Sequence, residues 1–201
     1  KNGNTEIIKI LMGKGINNFN NGLIGACEGG NMEATLLMLY KGATNLNEGL
    51  YESCRGSNME IVKLMLKEWA SGFKEGFYHA CIGGNIEIVK LMLALGTCVM
   101  TIPWNEIIKL ADINMGLEIA CERGYIELAK FLWKYGANDL NEGLKKACGG
   151  LQFEMVKLMI DEGATNYNDG LDVIHRLIYF GDKLAKSFSE IEKLLIENGA
   201  K

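Results

Sequence analysis

Apolar residues recur along this chain with the spacing of one helical face, in short blocks that come in pairs. In one pair, Leu50, Ser53 and Cys54 stand at i, i+3 and i+4, which places them on one side of a short helix. In the next block, residues 61–66, apolar side chains cover most of a helical circumference and leave a polar edge that begins at Glu60. A helix that is apolar over so wide an arc must lie between neighbours. The pattern therefore predicts a helical hairpin that packs against other elements.

Helix-boundary residues separate the two blocks. Asn47 is the predicted N-cap of the first helix, and the segment RGSN at 55–58 is predicted to end it. Asn58 is then placed to start the second helix. Such a hairpin cannot bury its own apolar surface, so we expect it to stack on copies of itself.

The chain contains those copies. A glycine followed by leucine or phenylalanine marks each one, and the steps between successive glycines are 27, 27, 40, 27 and 27 residues. These glycines are Gly22, Gly49, Gly76, Gly116, Gly143 and Gly170. Five positions later the copies carry, in order, Cys27, Cys54, Cys81, Cys121, Cys148 and His175. Chance does not keep so many positions in phase, so the pattern predicts a helix-hairpin solenoid.

The repeat positions predict a single array over residues 1–201. It opens with a partial repeat that matches only the second helix of a unit, so we expect further repeats or another covering element before it. The predicted segments are 1–21 (partial repeat), 22–48, 49–75, 76–115 with an insertion at about 98–110, 116–142, 143–169 and 170–201. The last segment is predicted to be a C-terminal cap with an elongated first helix over 170–186, because an array must cover its last apolar face.

The insertion in the fourth segment contains the only proline, Pro103, followed by WNEIIKLA. This order predicts a short helix that a proline turn opens. Its apolar side chains, Trp104, Ile107 and Ile108, either pack onto the edge of the array or contact a partner, since insertions in repeat proteins tend to fall on one, often functional, face.

Composition narrows the classes of function. The chain has 201 residues, 48% of them hydrophobic, which is enough for a substantial core. Its net charge is −4 and its lysines are scattered, so there is no basic stripe to bind a nucleic-acid backbone. The apolar runs fall well short of the roughly 20 residues that a bilayer requires. We therefore expect neither a nucleic-acid partner nor a membrane partner.

Two segments show a specific resemblance. ACEGGNMEATLLMLYKGA at 26–43 and SCRGSNMEIVKLMLKEWA at 53–70 resemble the second part of an ankyrin repeat, A-A-x-x-G-H-x-E-I-V-x-L-L-L-x-x-G-A, and the match extends over nearly the whole chain. The T-P-L-H opening is missing, and Gly49 stands where its proline would. The unit is also about six residues shorter than the usual 33, at the place of the β-hairpin finger. The resemblance implies an all-α, ankyrin-like helix-hairpin solenoid with shortened or absent β-hairpin fingers.

The resemblance also implies a function. It indicates a non-catalytic protein–protein interaction scaffold or adaptor, with a protein partner and no cofactor. Short Asn-rich arrays of this kind resemble those of giant DNA viruses that infect amoebae, which implies a viral protein that engages a host protein, in the host cytoplasm or in the virion. The alternative is a structural or virion-associated component that packs against itself or against coat proteins. A third interpretation, an enzyme or ligand-binding protein, requires chemistry that lies in a further segment.

The cysteines do not form a metal or disulfide pattern. Five share one repeat position and would lie about 10 Å apart, one helix spacing, whereas a disulfide needs Cα atoms within about 7 Å. The sequence has no C-x-x-C pair, so it predicts no zinc site. We predict buried core thiols in a reducing compartment, with Cys98 outside the pattern and His175 as a core variant of the repeat cysteine.

No catalytic group is predicted. Cys81 and His79 are two positions apart on a helix and point in different directions. GACEGG at 25–30 follows no strand and lacks the Gly-Lys-Ser/Thr ending of a phosphate loop. The sequence therefore predicts no catalytic, cofactor-binding or metal-binding residue.

The outward residues of the first helices vary while the inward ones do not. In ankyrin proteins the first helices and fingers line the concave binding surface, so shortened fingers leave most of that surface to the helices. Tyrosine beside arginine and apolar residues is the composition of a binding hot spot, although scattered exposed apolar residues are also ordinary. The predicted partner-binding residues are Tyr51, Arg55, Tyr78, His79, Ile82, Trp104 and Ile119.

Overall fold

The computed structural model describes residues 10, 15, 17–96, 108–179 and 185–201. In these ranges every regular element is a helix and no residue belongs to a strand. The backbone divides into two compact units, Lys1–Ile108 and Lys109–Lys201. The single array and its segment boundaries stay a prediction, and each unit is described by itself.

The described residues of the first unit form three helical hairpins. The first helices of these hairpins pack side by side, α1 on α3 and α3 on α5, and each also packs against the second helix of its own hairpin. The elements are α1 (Phe19–Glu28), α2 (Met32–Tyr40), α3 (Leu46–Arg55), α4 (Met59–Lys67), α5 (Phe73–Gly83) and α6 (Ile86–Gly96).

The second unit repeats this plan. Its first helices again pack in sequence, α7 on α9 and α9 on α11. The elements are α7 (Leu110–Arg123), α8 (Ile126–Lys134), α9 (Leu140–Gly149), α10 (Phe153–Asp161), α11 (Tyr167–Tyr179) and α12 (Ala185–Glu197). The stacked hairpins confirm the predicted helical repeat within each unit.

The predicted inward faces are buried. Leu50, Ser53 and Cys54 of α3 have no exposed surface, and Ile61 and Met65 of α4 are equally enclosed. The three polar residues on the wide apolar helix α4, Glu60, Lys63 and Lys67, are exposed, as predicted. An ion pair of 2.8 Å joins Lys63 to Glu60. The helical period is thus confirmed in both helices of this hairpin.

The glycine that marks each repeat is required by packing. A Cβ on Gly49 would lie 2.9 Å from Met65 Sδ in the same hairpin and 3.3 Å from Cys27 Sγ in the preceding one. Gly143 stands in the same position between Met159 and a cysteine of the preceding hairpin. A helical glycine costs about 1 kcal/mol relative to alanine, and the close contact between hairpins explains why these helices carry one.

The structure assigns Asn47 a different role from the predicted N-cap. Helix α3 begins at Leu46 and is preceded by Asn45. The side chain of Asn47 instead extends to the next repeat, where its Oδ1 accepts hydrogen bonds from the backbone N–H groups of Ser71 at 2.8 Å and Gly72 at 3.2 Å. The N-cap prediction was wrong because the helix starts one residue before Asn47, whose side chain is then free to bond outside its own helix.

This bond between repeats recurs, and we call each instance an asparagine stitch. Asn20 accepts from the N–H groups of Thr44 and Asn45, 24 and 25 residues ahead. In the second unit the acceptors are Asn114, Asn141 and Asn168, with donors Asn138 and Asp139, Thr165 and Asn166, and Lys201. The stitches tie each of these first helices to the loop that ends its hairpin, in repeats that carry no strand among the described residues.

Asn58 also serves the stacking of hairpins. It precedes α4, where it was predicted to start the helix, but its side chain makes no cap bond. Its Nδ2 donates to the carbonyl oxygens of Cys27 at 3.1 Å and Glu28 at 3.3 Å in the preceding hairpin. A side-chain amide therefore bonds backbone oxygens at the C-terminal end of α1, where carbonyl groups lack partners within the helix, and Cys27 O accepts also from Gly30 N–H.

The cysteine prediction is confirmed at the five repeat positions, and the histidine prediction is wrong. All five thiols have no exposed surface, whereas the His175 side chain is 52% exposed and its Nε2 lies 3.0 Å from Glu192 Oε1. Within each unit, a repeat cysteine is covered by the marker glycine of the next first helix, as Cys148 is by Gly170. Helix α11 is followed by no such helix among the described residues, so His175 faces outward.

The ends of the elements correct two further expectations. Helix α11 has 13 residues where α9 has 10, so the elongation is confirmed, but Ala185 begins α12, and the predicted single helix over 170–186 is wrong. The partial repeat and the insertion lie largely outside the described residues, as do Cys98, Trp104 and Ile107. Ile108 is described: it is buried, and its N–H donates to Gly96 O at 2.9 Å, which favours packing for this residue.

Candidate protein-interaction surface

Five of the predicted partner-binding residues lie on the outer side of two adjacent helices of the first unit. Tyr51 and Arg55 belong to α3, and Tyr78, His79 and Ile82 belong to α5. Arg55 is exposed and the other four are half-buried. We call these five residues the first-helix face.

The two remaining predicted residues do not belong to this group. Ile119 is half-buried on α7 of the second unit, and Trp104 lies outside the described residues. The structure therefore brings together five of the seven predicted residues, all within the first unit.

An aromatic pair forms the centre of the first-helix face. The rings of Tyr51 and His79 stack with their centroids 5.5 Å apart and an angle of 30° between their planes. Tyr51 is fixed further by Gly72, because a Cβ at that glycine would overlap the tyrosine ring. The pair joins neighbouring repeats and presents ring surface that is already ordered.

The surroundings of His79 favour its neutral form. Its Nδ1 is buried and has no hydrogen-bond partner among the described residues. Burial lowers the pKa of His79 from its usual 6.5, an effect that nearby Glu52 opposes and Arg55 reinforces. The imidazole is therefore neutral near pH 7 and acts as part of an apolar, stacked surface.

Arg55 is held by two carboxylates. Its Nε donates to Glu52 Oε2 at 2.7 Å and its Nη2 to Glu28 Oε1 at 2.9 Å, which joins α3 to the preceding first helix α1. The hydrogen bond to Glu52 raises the pKa of Arg55. Both carboxylates already accept hydrogen bonds from the guanidinium. A partner that binds Arg55 must therefore share the guanidinium with these carboxylates or displace them.

At the equivalent positions in the second unit, an ion pair replaces the aromatic stack. Where Tyr51 meets His79 in the first unit, Glu118 meets Lys146 in the second, with 3.6 Å between Oε2 and Nζ. Burial raises the pKa of Glu118, and the charge of Lys146 opposes that rise. Neighbouring first helices thus use one pair of positions for an aromatic stack in one unit and for an ion pair in the other.

One prominent residue was missed by the sequence interpretation. Trp69 follows α4, is 90% exposed and has a backbone φ of +72°. The corresponding residues of other hairpins are glycines with φ from +93° to +115°, namely Gly42, Gly136, Gly163 and Gly199. The signal was present in the sequence, which reads EWA at 68–70 where those hairpins have a GA pair.

Burial makes the repeat cysteines poor nucleophiles. Burial raises the pKa of Cys27 to about 11 and that of Cys54, Cys121 and Cys148 to about 12, and it also raises the pKa of Cys81. These thiols are protonated at neutral pH and are enclosed by the core, whereas thiol nucleophiles need accessible thiolates.

The described part of the chain offers little else for chemistry. Within it, no three side chains among His, Cys, Asp and Glu are grouped so that they could hold a metal ion. Of the helices in the same ranges, none has both the length and the apolar character needed to cross a membrane.

Comparison with known proteins identifies the fold. The chain is similar to the ankyrin repeat domain of Bcl-3, described as a unique member of the IkappaB protein family, with a TM-score of 0.51 and 18% identity over 90% of this chain and 86% of that chain. The sequence matches no family model and no curated protein. The likeness confirms the predicted fold class, an all-α, ankyrin-like helix-hairpin solenoid.

Proposed function

We propose that the protein is a non-catalytic interaction scaffold or adaptor that binds a partner protein through the first-helix face. The observation that carries the proposal is the stacked pair Tyr51 and His79 between α3 and α5, with Arg55 at its edge. Tyrosine and arginine are enriched among residues that dominate binding energy. The rings are ordered before binding, so these two side chains lose little conformational entropy when a partner binds.

The chemistry of the remaining core supports a non-catalytic role. The five repeat thiols are buried and protonated, and four of them, Cys27, Cys54, Cys121 and Cys148, pack against the marker glycine of the next first helix. The ionisable groups of the first-helix face are engaged with one another, Arg55 with Glu52 and Glu28. A surface of this kind recognises shape and charge.

The kind of partner and the source of the chain form a separate proposal. We propose a host protein as partner and a viral source for the chain on one ground, the resemblance of its short Asn-rich repeats to those of giant amoeba-infecting viruses. The binding surface itself does not depend on that origin.

Affinity capture of the protein from its native cells tests the proposal. We expect a distinct partner to be retained by the unchanged protein and lost when Tyr78→Ser and Ile82→Ser are combined. The matched control combines Lys145→Ser and Lys146→Ser, which alters a first helix of the second unit, and it should keep the partner. Circular dichroism establishes that both variants are folded. Equal capture by all three proteins would overturn the assignment of the face.

The alternative, a structural component that packs against itself, is favoured by one observation. The last hairpin exposes large apolar side chains, with Tyr179 85% and Ile196 52% accessible. Sedimentation velocity over a wide concentration range separates the two functions. An adaptor remains monomeric, whereas a structural component associates as concentration rises and loses that association with Tyr179→Ser and Ile196→Ser.

A further inference from the structure

A shallow groove opens next to the first-helix face, at the start of α3. Its volume is about 320 Å³, and Glu48, Tyr51, Trp69, Thr44 and Ser71 contribute to its lining. The groove is formed by the loop before α3, the first turns of α3 and the loop after α4. It lies within the first unit.

Trp69 is an unusual residue for this position. A bulky side chain at φ +72° is strained, and the corresponding residues of other hairpins avoid the strain by being glycine. The indole is also 90% exposed, so burial in the core does not offset the strain. A strained residue that packs against little of its own protein points to a role in binding.

Glu48 is the acidic group of the groove. In the corresponding helix of the second unit, Glu142 pairs with Lys145 three residues ahead at 3.2 Å. The residue three positions after Glu48 is Tyr51, an aromatic side chain, and among the described residues no cation lies within ion-pair distance of the Glu48 carboxylate. The groove thus combines a carboxylate with two aromatic rings.

Four backbone N–H groups at the edges of the groove already have acceptors. The backbone N–H groups of Thr44 and Asn45 are bonded to Asn20, and those of Ser71 and Gly72 are bonded to Asn47. The two asparagine stitches therefore occupy these four donors. The groove retains the Glu48 carboxylate as an acceptor for a ligand that only donates, as a guanidinium does.

We propose that this groove binds an arginine side chain of the partner protein, with the guanidinium between the Trp69 and Tyr51 rings and its N–H groups donating to Glu48. Aromatic faces attract such a cation, and arginine stacks on them more readily than lysine. The net charge of −4 favours a basic partner. This inference rests on the proposed interaction function and names the chemistry of the partner at one point of contact.

Titration with a defined peptide tests the inference. The probe is an acetylated and amidated heptapeptide of glycine and serine with one central arginine, and its control carries citrulline, which is neutral and nearly isosteric. Two-dimensional ¹H–¹⁵N NMR follows the Trp69 indole and the amides of Tyr51 and Ser71. We expect saturable shifts with the arginine peptide and binding weaker by about tenfold with the citrulline peptide.

Variants locate the binding. Trp69→Gly restores the residue of the other hairpins and should fold at least as well, so any weaker binding reflects the lost ring. We expect Trp69→Gly and Glu48→Gln each to weaken binding of the arginine peptide by about threefold to tenfold. Glu60→Gln on α4 should leave the affinity unchanged. Equal affinity for the two peptides, no shift up to millimolar peptide, or equal binding by all variants would each overturn the inference.

The capture experiment separates this inference from the function on which it rests. A partner that Trp69→Gly and Glu48→Gln retain, while Tyr78→Ser with Ile82→Ser loses it, contradicts the groove and leaves the scaffold function supported. A protein whose captured partners are unaffected by all of these changes contradicts both. Loss of one partner from both sets of variants supports both.

Discussion

Two hairpins of this protein, α3–α4 in the first unit and α9–α10 in the second, share one scaffold and differ in their surfaces. Both begin LNEGL, at 46–50 and 140–144. Asn47 and Asn141 each accept from two backbone N–H groups 24 and 25 residues ahead. Gly49 and Gly143 each lie between a methionine and a cysteine. The contacts that stack one hairpin on the next are thus the same.

The differences fall at positions that point away from these contacts. Tyr51 corresponds to Lys145, and Trp69 corresponds to Gly163. The stack of Tyr51 on His79 has as its counterpart the ion pair of Glu118 with Lys146. Because scaffold and surface positions are separate, a first helix can change from ionic to aromatic chemistry without altering how it packs. Substitutions at each class of position test this separation.

The largest effect is expected at the shared glycines. Gly49→Val and Gly143→Val place branched carbon against methionine and cysteine in a closed contact, so each should lower the free energy of unfolding by about 2 to 3 kcal/mol. Urea unfolding followed by circular dichroism measures the change. Gly25→Ala is the control, since this helical glycine has open space around it and should gain about 1 kcal/mol. A loss at only one of the two marker glycines would contradict the shared scaffold.

A smaller loss is expected when an asparagine stitch is removed. Asn47→Leu and Asn141→Leu leave two backbone N–H groups without their acceptor, and each should cost about 1 kcal/mol, because the sites are partly open to water. Asn→Asp at the same positions keeps an acceptor and should recover much of the loss. The same urea titrations provide the measurement, and stability unchanged by leucine would show that water replaces the stitch at no cost.

Exchanging Trp69 and Gly163 should shift stability in opposite directions. Trp69→Gly removes a bulky residue from positive φ and should gain about 1 kcal/mol, whereas Gly163→Trp introduces the same strain and should lose about 1 kcal/mol. Thermal unfolding of the two variants measures the direction of each change in stability. A loss of stability with Trp69→Gly would mean that the indole contributes stabilising contacts, and the binding role of Trp69 would lose its argument from strain.

The smallest effect is expected from His79 and concerns pH. Because burial lowers its pKa below 6.5, the unfolded chain binds more protons than the folded one as pH falls through that value. The folded state should therefore lose stability between pH 6.5 and the lower pKa of the folded imidazole. His79→Gln should remove this part of the pH dependence, measured as the difference between the two proteins in urea midpoints at pH 7.5 and pH 5.5. Identical midpoint shifts would mean that His79 titrates normally.

The hairpin and its inward face could be predicted from the sequence because they depend on local period alone. Leu50, Cys54 and Met65 each occupy a position whose burial follows from helical spacing. His175 shows where that reasoning stops. The equivalent Cys148 is covered by Gly170 of the following first helix, whereas no first helix follows α11 among the described residues, so the exposure of His175 depends on the neighbouring hairpin.

The site was predicted in part for a similar reason. Tyr51 and His79 were identified individually as outward residues, but their stacking depends on the offset between two helices, which the repeat length does not specify. Asn47 satisfied the sequence rule for an N-cap, and its actual partners lie 24 and 25 residues ahead. The recurrence of asparagine two positions before the marker glycine was the available signal, and only the backbone geometry assigns it a bond.

The asparagine stitch also shows how the length of a hairpin can vary. In four hairpins the acceptor bonds the backbone 24 and 25 residues ahead, whereas Asn168 of the last hairpin bonds the N–H of Lys201, 33 residues ahead. Five of the six first helices carry asparagine at this position, and the remaining one carries Lys74, whose ammonium has no acceptor to offer. The step after that helix, from Gly76 to Gly116, is the one that measures 40 residues instead of 27. The widest spacing between marker glycines thus follows the first helix that lacks this asparagine, and the 33-residue span from Asn168 shows that a lengthened hairpin can keep the bond when its end returns to the asparagine.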